Sequence, residues 1–281
     1  VRVNFNSTTD DASEDRTASA LEDLSTQTDG PIKLVSESGS LTIAGGSDNQ
    51  GVSAAGSGDV LLEARGSASD LVINAEVFST TGNITLDAGS NLAVNAAVTT
   101  GGPGTLYLTS GNDITVANSV VTSSGDILVD AGVDLTQAAA IISTSGDVGL
   151  IAGGTLAQTT DGDIETGGDV LLEAGSDWTM AGDAVVSATG NVVGRALGGD
   201  IDLGVISGAD VGLAAGNSIL DANDGLLNIT ADNLSLVATG GADGVASATV
   251  EIKRLFFEEH RLPGGGGLWH VGVLLWRFED R

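Results

Sequence analysis

The sequence GDILVDAGVDLTQAAAIISTS at residues 125–145 is followed directly by GDVGLIAGGTLAQTTDGDIET at residues 146–166. Two further copies are GDVLLEAGSDWTMAGDAVVSAT at residues 168–189 and GNITLDAGSNLAVNAAVTT at residues 82–100. Each copy begins with a Gly-Asp or Gly-Asn turn, continues with alternating apolar residues and then reaches Ala-Gly. A period of about 21 residues that recurs along a chain is typical of a solenoid, in which each repeat forms one structural unit.

When the copies are aligned, residues of the same kind fall in the same columns. Apolar residues at a period of two predict a short strand with one face turned inward. The inward columns of this first strand are Ile84, Leu106, Ile127, Val148, Val170 and Val192, then Leu86, Leu108, Val129, Leu150 and Leu172, then Ala88, Ser110, Ala131, Ala152 and Ala174. A second strand is predicted to begin at Leu92, Ile114, Leu135, Leu156 and Trp178, and a third strand is predicted at Phe78, Val121, Ile142, Ile164 and Val186.

Glycines mark the corners between these strands. A glycine at a corner indicates either a positive φ or a position with no room for a Cβ. One glycine column follows the first strand, at Gly89, Gly111, Gly132, Gly153 and Gly175. A second set opens the repeats, at Gly39, Gly58, Gly82, Gly104, Gly125, Gly146, Gly168, Gly190 and Gly208, with a degenerate coil after Gly225.

Three strands per repeat predict a triangular coil, and stacked coils bury apolar faces that a single strand would leave exposed. The fold class predicted is therefore all-β, a parallel β-helix (solenoid) of roughly nine or ten coils of about 21 residues. At about 4.8 Å per coil the body would be a rod about 45 Å long. A helical solenoid is excluded because the repeats show no sustained 3.6-residue apolar stripe.

The composition limits the possible partners. The chain has 281 residues, 42 glycines, 3% aromatic residues and a formal net charge of -28. Such an acidic chain is not expected to bind nucleic acid or an anionic membrane surface. It has no cysteine, and no apolar run of membrane-spanning length is visible. Because the chain begins at Val1, we expect a processed product or a fragment.

Three regions are predicted: a polar leader or cap at residues 1–30, the β-helix at residues 31–250, and an atypical C-terminal segment at residues 251–281. The last segment holds five of the nine aromatic residues, five of the ten basic residues and both histidines. It is interpreted as a cap on the last coil, as a docking strand around residues 269–276 that pairs with a neighbouring subunit, or as an unnatural ending.

Acidic residues are the first candidates for chemistry. Gly-Asp turns recur, and stacked turns would bring their carboxylates within about 5 Å of each other, where calcium is a suitable counterion. The simpler interpretation is that these side chains bond to their own turn backbone. The residues assigned to this turn column are Asp59, Asp126, Asp147, Asp169 and Asp200, with Asn83 and Asn191 in equivalent places.

Catalytic and metal sites are not predicted. The pairs Asp161 with Asp163 and Asp200 with Asp202 are common by chance in so acidic a chain, and Phe78 and Trp178 are interpreted as core residues. His260 and His270 lack partners at metal-ligand spacing. The Gly-rich stretches 101–104 and 264–267 lack the residues of a phosphate-binding loop. Ser and Thr beside the turns, as in residues 79–81 and 143–145, are explained by turn formation.

The segments GDILVDAGVDLTQ, GDVLLEAGSD and GNITLDAGSNL resemble the filamentous-haemagglutinin type of large bacterial exoprotein and related repetitive surface adhesins. The resemblance covers about residues 34–240 and implies a right-handed β-helix on an exported bacterial protein. Proteins of this type usually begin with a secretion domain, whose Asn-Pro-Asn motif does not appear here. The segment after Val250 also departs from the family pattern.

The function expected is structural: an adhesin stalk segment or a self-assembling fibre subunit, extracellular or at the cell surface, and not an enzyme. The expected partners are other copies of the chain, head to tail through coil ends or the C-terminal segment, and cell-surface glycans. No cofactor is expected apart from calcium. The alternative is a β-helix protein that binds or cleaves carbohydrate, which would need clustered carboxylates and exposed aromatic residues in one groove.

Overall fold

The computed structural model describes residues 23–45, 49–223 and 226–240, and these contain strands, turns and bends but no helix. In chain order the strands are β1 (Leu24–Ser25), β2 (Ile32–Ser36), β3 (Leu41–Ile43), β4 (Gln50–Ala54), β5 (Val60–Ala64), β6 (Leu71–Ile73), β7 (Glu76–Ser79), β8 (Ile84–Ala88), β9 (Leu92–Val94), β10 (Val98–Thr100), β11 (Leu106–Ser110), β12 (Ile114–Val116), β13 (Val120–Thr122), β14 (Ile127–Ala131), β15 (Leu135–Gln137), β16 (Ile141–Ser143), β17 (Val148–Ala152), β18 (Leu156–Gln158), β19 (Ile164–Thr166), β20 (Val170–Ala174), β21 (Trp178–Met180), β22 (Val185–Ala188), β23 (Val192–Ala196), β24 (Ile201–Leu203), β25 (Val205–Ser207), β26 (Asp210–Ala215), β27 (Ile219–Asp221), β28 (Ile229–Thr230) and β29 (Asn233–Ala238).

Every third strand belongs to the same sheet. Sheet A runs from β1 through β4 and β7 to β28, sheet B from β2 through β5 and β8 to β29, and sheet C from β3 through β6 and β9 to β27. The sheets have ten, ten and nine strands, and each strand pairs in parallel with its equivalents in the coils before and after it. The predicted parallel β-helix with three strands per coil is confirmed, and its handedness stays a prediction.

The core is a continuous column of small aliphatic side chains between the three sheets. Sheet B strands alternate buried and partly exposed residues, as in Val170–Ala174, because the first, third and fifth residues point inward. The predicted inward columns of the first and second strands are confirmed, and Trp178 is fully buried. The first strand begins at Leu24, inside the segment predicted as a leader or cap, and the last described strand ends at Ala238. The predicted boundary at residue 250 lies outside the described residues.

The predicted column of the third strand is wrong for three of its five members. Val77, Val120 and Ile141 are the buried residues. Phe78 and the equivalent residues of later coils, Val121 and Ile142, point outward. The pairing register joins Ile141 to Ile164, which shows that the alignment slipped by one residue in the earlier coils. A slip of one residue turns a strand's side chains to the opposite face.

The corner glycines are required by space and not by backbone conformation. A Cβ at Gly82, Gly104, Gly125 or Gly146 would lie closer than 3.0 Å to backbone atoms of the preceding coil. Within the described residues, a positive φ is found at only four glycines, Gly39, Gly56, Gly66 and Gly240. Gly66 begins the stack at the second corner, since its carbonyl oxygen lies against Gly89, but none of the five glycines predicted for that column has a positive φ. Of the two reasons predicted for glycine at the corners, the lack of room for a Cβ is therefore the one that applies.

Two of the glycines predicted to open a repeat, Gly39 and Gly208, are not in this glycine stack. In the first coil the stacked position is Gly30, whose carbonyl oxygen lies against Gly58, and Gly39 instead occupies a left-handed turn at φ 90°. At the other end, the N–H of Ala209 and not that of Gly208 bonds to the carbonyl oxygen of Gly190. Both errors occur where coil length departs from the regular repeat.

Candidate functional site

The Gly-Asp turns form a ladder of hydrogen bonds between coils. Asp126 Oδ1 accepts the N–H of Asp147 at 2.9 Å, and Asp147 Oδ1 accepts the N–H of Asp169 at 2.8 Å. Asp169 Oδ1 accepts the N–H of Asn191 at 2.7 Å, and Asp59 Oδ1 accepts the N–H of Asn83 at 2.8 Å. The prediction that these side chains bond to their own turn is wrong, because each one bonds to the equivalent residue one coil later. We call this series the turn ladder.

A second carboxylate ladder precedes the strands of sheet C. Asp113 Oδ1 accepts the N–H of Asp134 at 3.1 Å, and Asp134 Oδ1 accepts the N–H of Thr155 at 2.7 Å. Asp177 Oδ1 accepts the N–H of Asp200 at 2.9 Å. Asp200 therefore belongs to this second ladder, and its predicted place in the turn column is wrong. A Gly-Asp dipeptide occurs at both corners, so the dipeptide alone does not identify the corner.

The two acidic pairs that resemble catalytic carboxylates have different surroundings. Asp163 Oδ1 accepts the N–H of Val185 at 2.8 Å, which gives it a structural role, and Asp161 is exposed. Asp200 Oδ1 accepts both the N–H of Ser218 at 2.8 Å and the side-chain amide of Asn217 at 2.7 Å. Asp163 and Asp200 thus bond to neighbouring coils, Asp202 is partly buried, and Asp161 is an exposed surface residue.

Two carboxylates have pKa values shifted in opposite directions. The pKa of Asp70 is lowered, first by the backbone N–H of Asn91 that its Oδ1 accepts at 3.0 Å. The pKa of Asp202 is raised, first by burial and then by the neighbouring charges of Asp200 and Asp177. Asp70 therefore stabilises the fold above its ordinary pKa and loses that contribution as the pH falls, whereas ionised Asp202 opposes folding and its protonation at low pH relieves this.

Buried hydroxyl groups form a third ladder. The turn role predicted for Ser79 and Ser143 is confirmed, since each accepts the N–H three residues later, but their burial and their bonds to the preceding corner glycine were not predicted. Ser143 Oγ donates to the carbonyl oxygen of Gly125 at 2.8 Å and accepts the N–H of Gly146 at 2.9 Å. Thr122 makes the equivalent pair of bonds one coil earlier. The full set of buried members is Ser79, Thr100, Thr122, Ser143 and Thr166. The period-two pattern could have shown that these residues point inward, since each lies two positions after a buried aliphatic residue.

A glutamine pair in the core was also missed. Gln158 Nε2 donates to Gln137 Oε1 at 3.0 Å, and Trp178 Nε1 donates to Gln158 Oε1 at 2.9 Å. Gln137 Nε2 donates to the carbonyl oxygens of Ala139 and Asp163 at 3.1 and 2.8 Å. Gln137 is fully buried, Gln158 is 3% exposed and Trp178 is fully buried. A buried polar network of this kind is stable only when its groups are hydrogen-bonded, as they are here.

The basic residues of the described solenoid sit on its surface. Arg65 bonds to Glu63 at 2.6 Å and to Glu37 at 2.8 Å, and these two carboxylates raise its pKa further above the ordinary range. Arg195 Nη1 lies 3.6 Å from Glu173. Because these pairs are exposed to solvent and screened by it, they contribute little to the stability of the fold.

Calcium binding by the turn carboxylates stays a hypothesis. In residues 23–45, 49–223 and 226–240, no three histidine or carboxylate side chains converge in a way that could hold an ion. His260, His270 and the rest of residues 251–281 lie outside the described residues, as do residues 1–22. The described part of the chain also has no helix long and apolar enough to cross a membrane.

Comparison with known proteins gives no relative for this chain. No protein-family model, no curated protein and no solved structure matches it.

Proposed function

We propose that this chain is an extracellular structural rod, either a segment of an adhesin stalk or a subunit of a self-assembling fibre. The observation that supports this proposal is that polar side chains form hydrogen bonds between successive coils. The turn ladder, the second carboxylate ladder, the buried hydroxyl groups and the glutamine pair all join one coil to the next. The carboxylates of the turn column, together with Asp163 and Asp200, are thus engaged in holding the coils in register.

The expected stiffness of the rod follows from the direction of these hydrogen bonds. Strands of neighbouring coils pair in parallel, so their backbone hydrogen bonds run along the rod axis. The ladders add side-chain bonds in the same direction at two of the corners. A rod built in this way resists bending and exposes few unpaired backbone groups along its length. Those properties suit a spacer between a cell surface and a binding partner.

Carbohydrate binding is the alternative, and one exposed aromatic residue favours it. Tyr107 is 37% exposed on the outward face of β11. A sugar-binding groove would place such a ring beside acidic groups. On this outward face its neighbours are Thr105 and Thr109 along the strand, and Thr85 and Leu128 in the paired strands, whereas Leu106 and Leu108 are buried on the other face. None of these four outward neighbours carries the acidic group that a sugar-cleaving groove would need.

The proposed location and role can be tested on the cells that produce the protein. Antibodies raised against the purified chain are expected to label intact cells, and protease added outside the cells is expected to remove that label. Electron microscopy of immunogold-labelled cells would separate the two forms: gold particles along filaments indicate a fibre, and particles at a constant distance from the envelope indicate a stalk. An antibody against a cytoplasmic protein serves as the control. Label that appears only after the cells are permeabilised would contradict the proposal.

A further inference from the structure

The outward face of sheet B carries a row of apolar side chains that follows the rod axis. Tyr107, Leu128 and Leu171 are 37%, 36% and 38% exposed, and Val193 continues the row. The paired positions in consecutive coils are Tyr107, Leu128, Gly149, Leu171 and Val193. We call Tyr107, Leu128, Leu171 and Val193 the apolar stripe. Contiguous exposed apolar residues form a patch that is more often an interaction site than single exposed residues are.

A depression interrupts the apolar stripe at Gly149. It has a volume of about 600 Å³, and its lining includes Leu128, Gly149 and Leu171. Two coil steps, or about 9.6 Å, separate Leu128 from Leu171 along the axis. Because Gly149 has no side chain, the space between the two leucines is open to a large side chain of a partner.

Carboxylates border the depression on the side of the turn ladder. Asp126, Asp147 and Asp169 are exposed there and contribute to the lining. The row on the other side of the stripe is mixed, because Asp130 pairs with Ile151, Ile151 pairs with Glu173, and Glu173 lies 3.6 Å from Arg195. An apolar stripe beside an acidic row matches a partner that has apolar residues on one face and basic residues along one side of that face.

We propose that the apolar stripe binds a cationic amphipathic helix of another protein. Residues i and i+7 of a helix are about 10.5 Å apart, close to the separation of the coils that carry Leu128 and Leu171. Apolar side chains at i and i+7 would pack on these two leucines, and the side chain at i+3 or i+4 would enter the depression over Gly149. Lysine or arginine residues along one side of the helix would face Asp126, Asp147 and Asp169. This binding surface does not depend on whether the rod serves as a stalk or as a fibre.

The test uses a fluorescent 15-residue helical peptide of leucine and lysine, with leucine at i, i+4, i+7 and i+11, and the full chain. Fluorescence anisotropy is expected to show binding that weakens as salt is added. Leu171→Gln is expected to weaken binding about tenfold, since an apolar contact is lost. Gly149→Leu is expected to weaken it by a similar factor because its side chain fills the depression. A Cβ at Gly149 would meet only the end of the Leu128 side chain, so the fold should accept this change.

The matched control is Gly212→Leu, which changes a glycine in the same outward column three coils further along. A Cβ at Gly212 has no atom within 4 Å, and this variant should bind the peptide as the unchanged chain does. A peptide of the same composition with its leucines spread around the helix should bind more weakly. Equal binding of both peptides, or no effect of Leu171→Gln and Gly149→Leu, would overturn the proposal. Self-association of the full chain that Leu171→Gln abolishes would assign the stripe to a second copy instead.

Discussion

Replacing Gly146 with alanine is expected to lower the free energy of unfolding by about 3 kcal/mol, as overpacking against a rigid neighbour does. The new Cβ would lie closer than 3.0 Å to the carbonyl group of Gly125 and to the backbone nitrogen of Asp126. These backbone atoms cannot move aside without disturbing the stacked corner. The N–H of Gly146 is also bonded to Ser143 Oγ at 2.9 Å, and a shifted backbone would weaken that bond. Urea and thermal unfolding followed by circular dichroism would measure the loss.

Gly212→Ala is the control for this prediction. Gly212 lies on the outward face of β26, a Cβ there has no atom within 4 Å, and its φ is not in the left-handed range. Alanine at such a position restricts the unfolded chain, so stability should stay within about 0.5 kcal/mol of the unchanged protein or rise slightly. Similar losses for Gly146→Ala and Gly212→Ala would show that the corner glycines are not needed for close stacking.

Replacing Gln158 with leucine is expected to cost about 3 kcal/mol, because it leaves buried hydrogen-bonding groups without a partner. Trp178 Nε1 loses the acceptor at 2.9 Å, and Gln137 Oε1 loses the donor at 3.0 Å. Leucine has nearly the same volume as glutamine, so the loss reports the network and not a cavity. Chemical unfolding of the variant and of the unchanged chain would give the difference.

A double-mutant cycle with Trp178→Phe separates the network from general damage to the core. Phenylalanine has no N–H, so in the double variant the bond between residues 158 and 178 is removed from both sides. We expect the double variant to lose about 1 to 3 kcal/mol less than the sum of the single losses. Strictly additive losses would mean that the bond between Gln158 and Trp178 contributes nothing to stability.

The sequence was sufficient to predict the parallel β-helix because each repeat carries the same apolar alternation and the same glycines. Prediction of the third strand failed at Phe78, since alignment by apolar identity placed it where Val77 points inward. The adjacent Ser79 shows why: its buried hydroxyl donates to Gly58 and accepts from Gly82, so the polar residue occupies the inner face. A rule that expects only aliphatic residues inside selects the wrong register there.

The ladders were harder to predict because their partners are one coil away. Asp126 and Asp147 are 21 residues apart, and the same Gly-Asp dipeptide is compatible with a bond inside its own turn. The choice between the two depends on how closely the coils stack, which the dipeptide does not reveal. Gln137 and Gln158 occupy equivalent inward positions that Val116 and Met180 fill in neighbouring coils. Their spacing of 21 residues, one repeat, is visible in the sequence and could have predicted that the two side chains meet.

A distance between two spin labels measures whether the chain is a rod whose length is set by its coils. The chain has no cysteine, so Thr85→Cys and Gly212→Cys would label two outward positions of sheet B without side reactions. Six strand pairings separate these positions, which predicts about 29 Å between their backbones. Double electron–electron resonance spectroscopy measures distances between spin labels in this range.

The same measurement is then made after deletion of residues 125–145, one complete coil. Gly146 would follow Ser124 and occupy the corner that Gly125 leaves, with Thr122 Oγ1 available to accept its N–H as it now accepts that of Gly125 at 3.1 Å. We expect a folded protein in which the label distance is shorter by about 4.8 Å. A distance that does not change, or the loss of the fold, would contradict the description of the chain as a rod of equivalent coils.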